Sequence, residues 1–266
     1  MSTQIDQRAV VHPKAELGNG VTIDPFAIVE EGAVIGDGTH VMAHAFIGTG
    51  ARIGRDCRIH MGAVVGHAPQ DLKYKNEPTT CEVGDRTVVR EYATLHRGTH
   101  ETMRTVIGSD SFFMAYSHVA HDCRVGNKVI LANCVALAGH VTLEDYVIIG
   151  GLTPVHQFVS IGCHAMVGGG SGIGKDVPPY SLVGSRPTIW EGLNSVGLRR
   201  RGFSKEAIEA ADRAYHLIYR SGLNTTQALD RIRADATLMA VSEVRKIVDF
   251  VAASKRGIIP PPRLKH

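Results

Sequence analysis

Histidine dominates the side chains that could do chemistry here. The chain has fourteen among its 266 residues, most of them between His40 and His164. An imidazole can bind a metal or act as a general base near neutral pH, whereas a lone surface histidine usually does neither. Three segments stand out: YSHVAHDC (116–123), LAGHV (137–141) and PVHQF (154–158). His121 and His140 are nineteen residues apart, and His156 follows sixteen later. If the chain coils once every eighteen residues or so, these three imidazoles stack near one corner. Asp122 stands directly beside His121. A second cluster is basic: Arg199, Arg200 and Arg201 run together, with Lys205 close behind. Such a run suits a solvated helix face, or an anion site for phosphate or an acidic protein partner.

The required coil is written in the sequence. Stepping by six from Ile5 meets Val11, Leu17, Ile23, Val29, Ile35 and Val41, and the series continues to Val65. Asp71 and Glu77 interrupt it, as does Glu101 further on. It resumes in register after each break and runs from Ile107 to Ile173. A period of six matches neither a helix nor a surface strand, but it does match stacked coils of a parallel β-helix with aliphatic residues pointing inward. The breaks, at about 68–82 and 99–106, read as loops spliced into a continuing stack, and loops on a rigid scaffold often carry function. After Asp176-Val177-Pro178-Pro179 the pattern turns helical. Ser204 is placed to cap a helix to about Arg220, with Ile208, Ala211, Tyr215 and Ile218 on one face and Gly222 past its end. Further helices are expected over 225–234 and 242–255, the last stopped by Gly257 and Pro260-Pro261-Pro262. The expected division is a β-helix over 1–189 and a helical domain over 190–266.

Composition narrows the function. A net charge of +3 does not mark a nucleic-acid binder. The five cysteines form no CxxC pair, which argues for reduced thiols and against a disulfide scaffold or structural zinc. No apolar run reaches membrane-spanning length, and the N-terminal residues lack the apolar core of a signal peptide.

The histidine segments, taken with QDLKY (70–74), LHRGT (95–99), DVPPY (176–180) and GLRRRGFS (197–204), resemble the UDP-N-acetylglucosamine O-acyltransferases that use acyl carrier protein. The resemblance runs from about residue 8 to about 257. It implies a left hand for the β-helix and a triangular coil of three hexapeptides. It also implies a cytoplasmic enzyme that moves a 3-hydroxyacyl group from acyl carrier protein to the 3-hydroxyl of UDP-N-acetylglucosamine, the first step of lipid A synthesis. No cofactor and no metal would be needed. His121 would be the general base, Asp122 would support its charge or orientation, and the Gly139 N–H would face the developing oxyanion. Gln70, Asp71, Lys73, His96, His118, His140, His156 and Gln157 would surround the sugar and the acyl chain. Asn194 and Arg200 would hold the nucleotide, and Arg199, Arg201 and Lys205 would help capture the acidic carrier protein. Gly169 would set acyl length. The family is a homotrimer with sites between subunits. This chain departs from the family pattern at Val196, where the best-known members have a glutamate that helps hold the nucleotide.

Three other readings compete. The related N-acyltransferases carry an extra N-terminal uridine-binding domain, for which a repeat starting near residue 5 leaves no room. A hexapeptide-repeat carbonic anhydrase would place zinc on His121, His140 and His156, but has no use for QDLKY or the arginine run. A silent scaffold would need neither the loops nor the polar corner. The sequence leaves open the acyl length and the choice between a 3-hydroxyl and a 3-amino acceptor.

Overall fold

The computed structural model describes residues 2–261, so Pro262 lies outside the described residues. The inward six-residue series folds as a left-handed parallel β-helix of two- to four-residue strands, stacked into three sheets of ten, eight and eight parallel strands, the first of which gains an eleventh, antiparallel strand. The first face begins at Gln4–Ile5, the second at Val10–Val11 and the third at Glu16–Leu17. Ile23, Val41 and Ile59 pair in line, eighteen residues per coil. Their side chains are at most 1% exposed, as are Val29, Ile35 and Ile47 on the other faces. The core is therefore one continuous column of aliphatic side chains. Coils approach so closely that a methyl group at Gly36 would lie 2.6 Å from the Gly54 carbonyl carbon, which only glycine avoids. Corner N–H groups are satisfied by side chains of the next coil, such as Asn19 N–H to Asp37 Oδ1 at 2.8 Å and Asn127 N–H to Asp145 Oδ1 at 2.7 Å.

Ile59 pairs with Val89, thirty residues on, and Val89 with Phe113, twenty-four on. The two insertions thus add twelve and six residues to an eighteen-residue coil. Both are multiples of six, which is why the series resumes in register. Both also leave the same edge, between the second and third faces. The first connects Val64–His67 to Thr80–Val83, and the second connects Thr94–His96 to Arg104–Ile107.

The repeat does not pass straight into helices. Ser181–Gly184 continues the first face, and Ile189–Leu193 folds back antiparallel to it. Helices α1 (Ser195–Arg200), α2 (Lys205–Tyr219), α3 (Thr225–Arg233), α4 (Ala236–Met239) and α5 (Ser242–Ala253) follow. Ser204 caps α2 through Ala207 N–H, and the helix buries Ala211, Tyr215 and Ile218. Ile208 is only partly buried. After α5 the chain returns to the solenoid. Asp176, 3% exposed, accepts the Ser160 N–H at 2.8 Å and the Ser254 hydroxyl at 2.6 Å, while its own N–H donates to Gly257 O at 3.0 Å. Tyr215 donates its hydroxyl to the Pro179 carbonyl. These bonds account for the DVPPY segment as the seat of the helical region. No helix among the described residues is long and apolar enough to cross a membrane.

Candidate active site

His121 and Asp122 turn the corner between His118–Val119 on the second face and Arg124–Val125 on the third. They therefore stand at the edge from which both insertions emerge. Asp122 adopts φ +60 there, as do His140 (+61) and Phe158 (+64) on the next two coils. Asp122 backbone N–H donates to Thr105 Oγ1 at 2.9 Å. Its carboxylate has no side-chain exposure and lies 2.7 Å from His121 Nδ1. A buried carboxylate needs donors, and this one has them. Oδ1 accepts the Thr99 N–H at 3.0 Å and the Thr102 hydroxyl, and Oδ2 accepts the Thr99 hydroxyl at 2.7 Å. Burial pushes the carboxyl pKa up, but the bonds from His121, Thr102 and Thr99 outweigh it and hold the group well below the usual carboxylate range.

With Asp122 ionised, His121 places its proton on Nδ1 and leaves Nε2 as an acceptor. The ring lies over Gly139, where an added methyl would meet Cε1 at 2.5 Å and Nε2 at 2.8 Å. Gly139 is buried, and its N–H meets no acceptor among the described residues. His140 sits edge-on to His121 at 5.3 Å and stacks on Phe158 at 4.5 Å.

A cavity of about 740 Å³ opens at this edge. His121, His140, Gln157 and Phe158 form one wall, and Gln70, Asp71, Leu72 and Lys73 of the first insertion form another. His100, Glu101 and Thr102 of the second insertion close it. Asp71 is shaped by its own turn, accepting the Lys73 N–H at 2.9 Å. The cavity thus joins Gln70, Asp71, Lys73, His121, His140 and Gln157.

Other expected site residues lie elsewhere. His96 is 5% exposed and packs edge-on to His118 at 4.8 Å. Burial, then repulsion from His118, lowers the His96 pKa to about 4. Burial and then His121 lower that of His118, whose Nδ1 lies 2.7 Å from Thr94 Oγ1. The pairing of Leu137 with Val155 sets His156 opposite Ala138 and leaves Phe158 opposite His140. The stack of His121, His140 and His156 expected from spacing is therefore corrected. Sixteen residues fall two short of a coil, and His156 is exposed beside the cluster. His121, Asp122 and His140 do bring possible ligand atoms within 4.8 Å of one another. The Asp122 oxygens, however, already take four donors, about the capacity of a carboxylate, so the set is built as a proton network and does not fit an ion.

Asn194 and Arg200 do not line the cavity. Asn194 caps α1 through Gly197 N–H at 3.2 Å and donates Nδ2 to His164 O at 2.9 Å, at the edge between the third and first faces. Arg200 is exposed. Arg201 turns inward, its guanidinium 5.2 Å from the Tyr146 ring centre and bonded to Tyr146 O at 3.2 Å. Val196 is 53% exposed. Gly169 lies on the third edge, between the first and second faces, above Gly151. The sequence reading missed Thr99, Thr102 and Thr105, whose spacing of three within the second insertion was the available signal. It also missed Phe158, which closes VHQF.

Known proteins share this fold. Residues 176–259 match the family model of UDP-N-acetylglucosamine O-acyltransferase domain 2, and residues 32–67 and 104–139 match the bacterial transferase hexapeptide model of six repeats. The acyl-(acyl-carrier-protein)–UDP-N-acetylglucosamine O-acyltransferase of Burkholderia orbicola is 46% identical over 207 residues, which covers 77% of this chain and 79% of that one. Among solved structures, the UDP-N-acetylglucosamine acyltransferase of Francisella novicida is 35% identical with a TM-score of 0.94, covering 99% of this chain and 100% of its own. That of Bacteroides fragilis is 43% identical with a TM-score of 0.93, covering 96% and 99%. On its repeat, its cavity and these likenesses, the chain is an acyltransferase and belongs to the UDP-N-acetylglucosamine O-acyltransferase family.

Proposed function

We propose that this chain transfers a 3-hydroxyacyl group from acyl carrier protein to the 3-hydroxyl of UDP-N-acetylglucosamine, the first step of lipid A synthesis, in the cytoplasm. The observation that carries the reading is the part-buried His121, 2.7 Å from the buried Asp122 carboxylate, with its ring packed over Gly139 at the wall of a loop-lined cavity. His121 Nε2 takes the proton of the sugar hydroxyl as that oxygen attacks the thioester carbonyl. The carbonyl oxygen becomes an oxyanion met by the Gly139 N–H. The tetrahedral intermediate then expels the carrier thiolate, which His121 protonates, leaving ester, thiol and neutral imidazole. Asp122 steadies the imidazolium between the two transfers. No metal or cofactor takes part. His140, Gln157, Gln70, Asp71 and Lys73 bind sugar and acyl groups. His96 and His118, packed on the second face beside the cavity, and the exposed His156 complete the surroundings of the sugar and acyl chain. Asn194 and Arg200 serve the nucleotide from a neighbouring copy of a homotrimer, since in one chain they stand at another edge.

The test is product identification. Incubation with 3-hydroxyacyl carrier proteins of graded length, and with 3-hydroxyl or 3-amino sugar nucleotides, should yield an O-acylated UDP-N-acetylglucosamine by mass spectrometry. His121→Ala should keep its fold and lose about 10²–10⁴-fold in kcat, with less effect on KM. A variant keeping more than half of wild-type kcat would remove His121 from the role of base.

A further inference from the structure

The second insertion does more than wall the cavity. We infer that Thr99 and Thr102 are positioning residues for the transfer, holding the Asp122 carboxylate in the plane and rotamer that orient His121. The inference rests on the general-base reading of His121 and deepens it.

Three of the four groups that donate to the Asp122 carboxylate come from this insertion: the Thr99 N–H and hydroxyl, and the Thr102 hydroxyl. The fourth is His121 itself. Thr105, three residues further, accepts the Asp122 backbone N–H at 2.9 Å and pins the main chain at φ +60. Threonines at 99, 102 and 105 therefore surround a single residue. The Thr99 hydroxyl is itself set by Glu101 N–H, 3.3 Å away. The Thr102 oxygen also lies 2.8 Å from the Arg104 carbonyl. A hydroxyl has one proton, however, and an ionised oxygen binds it more strongly than a carbonyl. Asp122 cannot hold its rotamer alone. His140 Nε2 stands 3.7 Å from Oδ2, beyond a hydrogen bond, and could compete for that oxygen if the carboxylate turned. The threonines fix Oδ2 toward His121 Nδ1, and that bond in turn keeps Nε2 free and aimed over Gly139.

The experiment compares Thr102→Val, Thr102→Ser and Thr99→Val in the full-length protein, each also in an Asp122→Ala background. The valine variants should lower kcat about ten- to hundredfold, the scale of a hydrogen bond to a charged group. Both KM values should stay within about twofold, and the variants should remain folded with the melting temperature lowered by only a few degrees, the cost of one donor lost to a buried carboxylate. Thr102→Ser should restore most of the rate. In the Asp122→Ala background the valine substitutions should cost less than about twofold, because the group they orient is gone. Valine variants with near-normal kcat would overturn the inference, as would a loss that persists in full without Asp122. If Thr102→Val does not fold, Thr99→Val and the Thr102→Ser comparison decide it. A dead His121→Ala beside unaffected threonine variants would sink only this inference, whereas an active His121→Ala would sink the general-base reading itself.

Discussion

Any side chain at residue 139 would collide with the imidazole of His121, whose Cε1 would lie 2.5 Å from the added carbon. Gly139 does not have a left-handed backbone, so alanine is acceptable to the main chain there. The ring must yield instead, which strains its 2.7 Å bond to Asp122. Gly139→Ala should therefore lower kcat by about 10² or more while the melting temperature falls only slightly, a loss on the scale of removing a general base. Steady-state kinetics and thermal unfolding on one preparation check this, and an alanine variant with normal kcat would mean that the ring does not work from that position. The spacing put His121 and His140 near one corner because both follow inward residues of the six-step series, and the family resemblance added Gln157. Spacing misplaced His156, since closeness to one coil is not equality with it. The spacing of three marked the threonines but not what they bind, because their role depends on a loop whose path no periodicity describes.

At the scale of elements, the repeat was legible through its core. From Ile23 onward the inward positions are almost fully buried, so the aliphatic series could not drift without opening the column. Helices α2, α3 and α5 were legible from their apolar faces and caps. Helices α1 and α4 and the strand Ile189–Leu193 were not, because short elements take their form from what they pack against. Trp190 in that strand stacks on Tyr219 at 4.5 Å, a contact between segments twenty-nine residues apart. The basic run also divides by element. Arg201 is spent on Tyr146 and His164, whereas Arg199, Arg200 and Lys205 face solvent. Lys205 is 83% exposed and has only Glu209, 3.7 Å away, which leaves it nearly free to attract an acidic partner. The KM for the carrier protein should therefore rise with salt as the Debye length shrinks. Arg199→Ala and Lys205→Ala should flatten that rise without changing kcat. A KM that is the same at low and high ionic strength would dismiss electrostatic capture.

The whole molecule is a prism whose edges differ. One carries His121, the two insertions and the cavity. The next carries Tyr92, Tyr116 and Leu152, which are 54%, 61% and 69% exposed. Tyr92 and Tyr116 stack at 5.3 Å. Apolar side chains lined along one edge of a solenoid mark a surface to be covered. In the proposed trimer, the histidine edge of one copy would meet this apolar edge of the next, and an acyl chain would run between them. Gly169 lies at the upper end of that apolar edge, one coil above Gly151 and beside Gly170. With no side chain, it would leave room for an acyl chain lying along that edge to extend past it. Each buried methylene contributes about 0.8 kcal/mol, so two more carbons favour a longer donor roughly tenfold. A methionine at 169 would take up that room. Its Cβ would meet nothing nearer than the Gly151 carbonyl oxygen at 3.2 Å, a contact that a small local shift relieves, so the solenoid should tolerate it. The wild-type protein should then favour a relatively long 3-hydroxyacyl donor. Gly169→Met should move the optimum to shorter chains and leave the rate with the shorter donor largely intact. The decisive measurement is kcat/KM across donors of increasing length for both proteins. An equal loss at every length would assign Gly169 to the stacking of coils and not to the measurement of the chain.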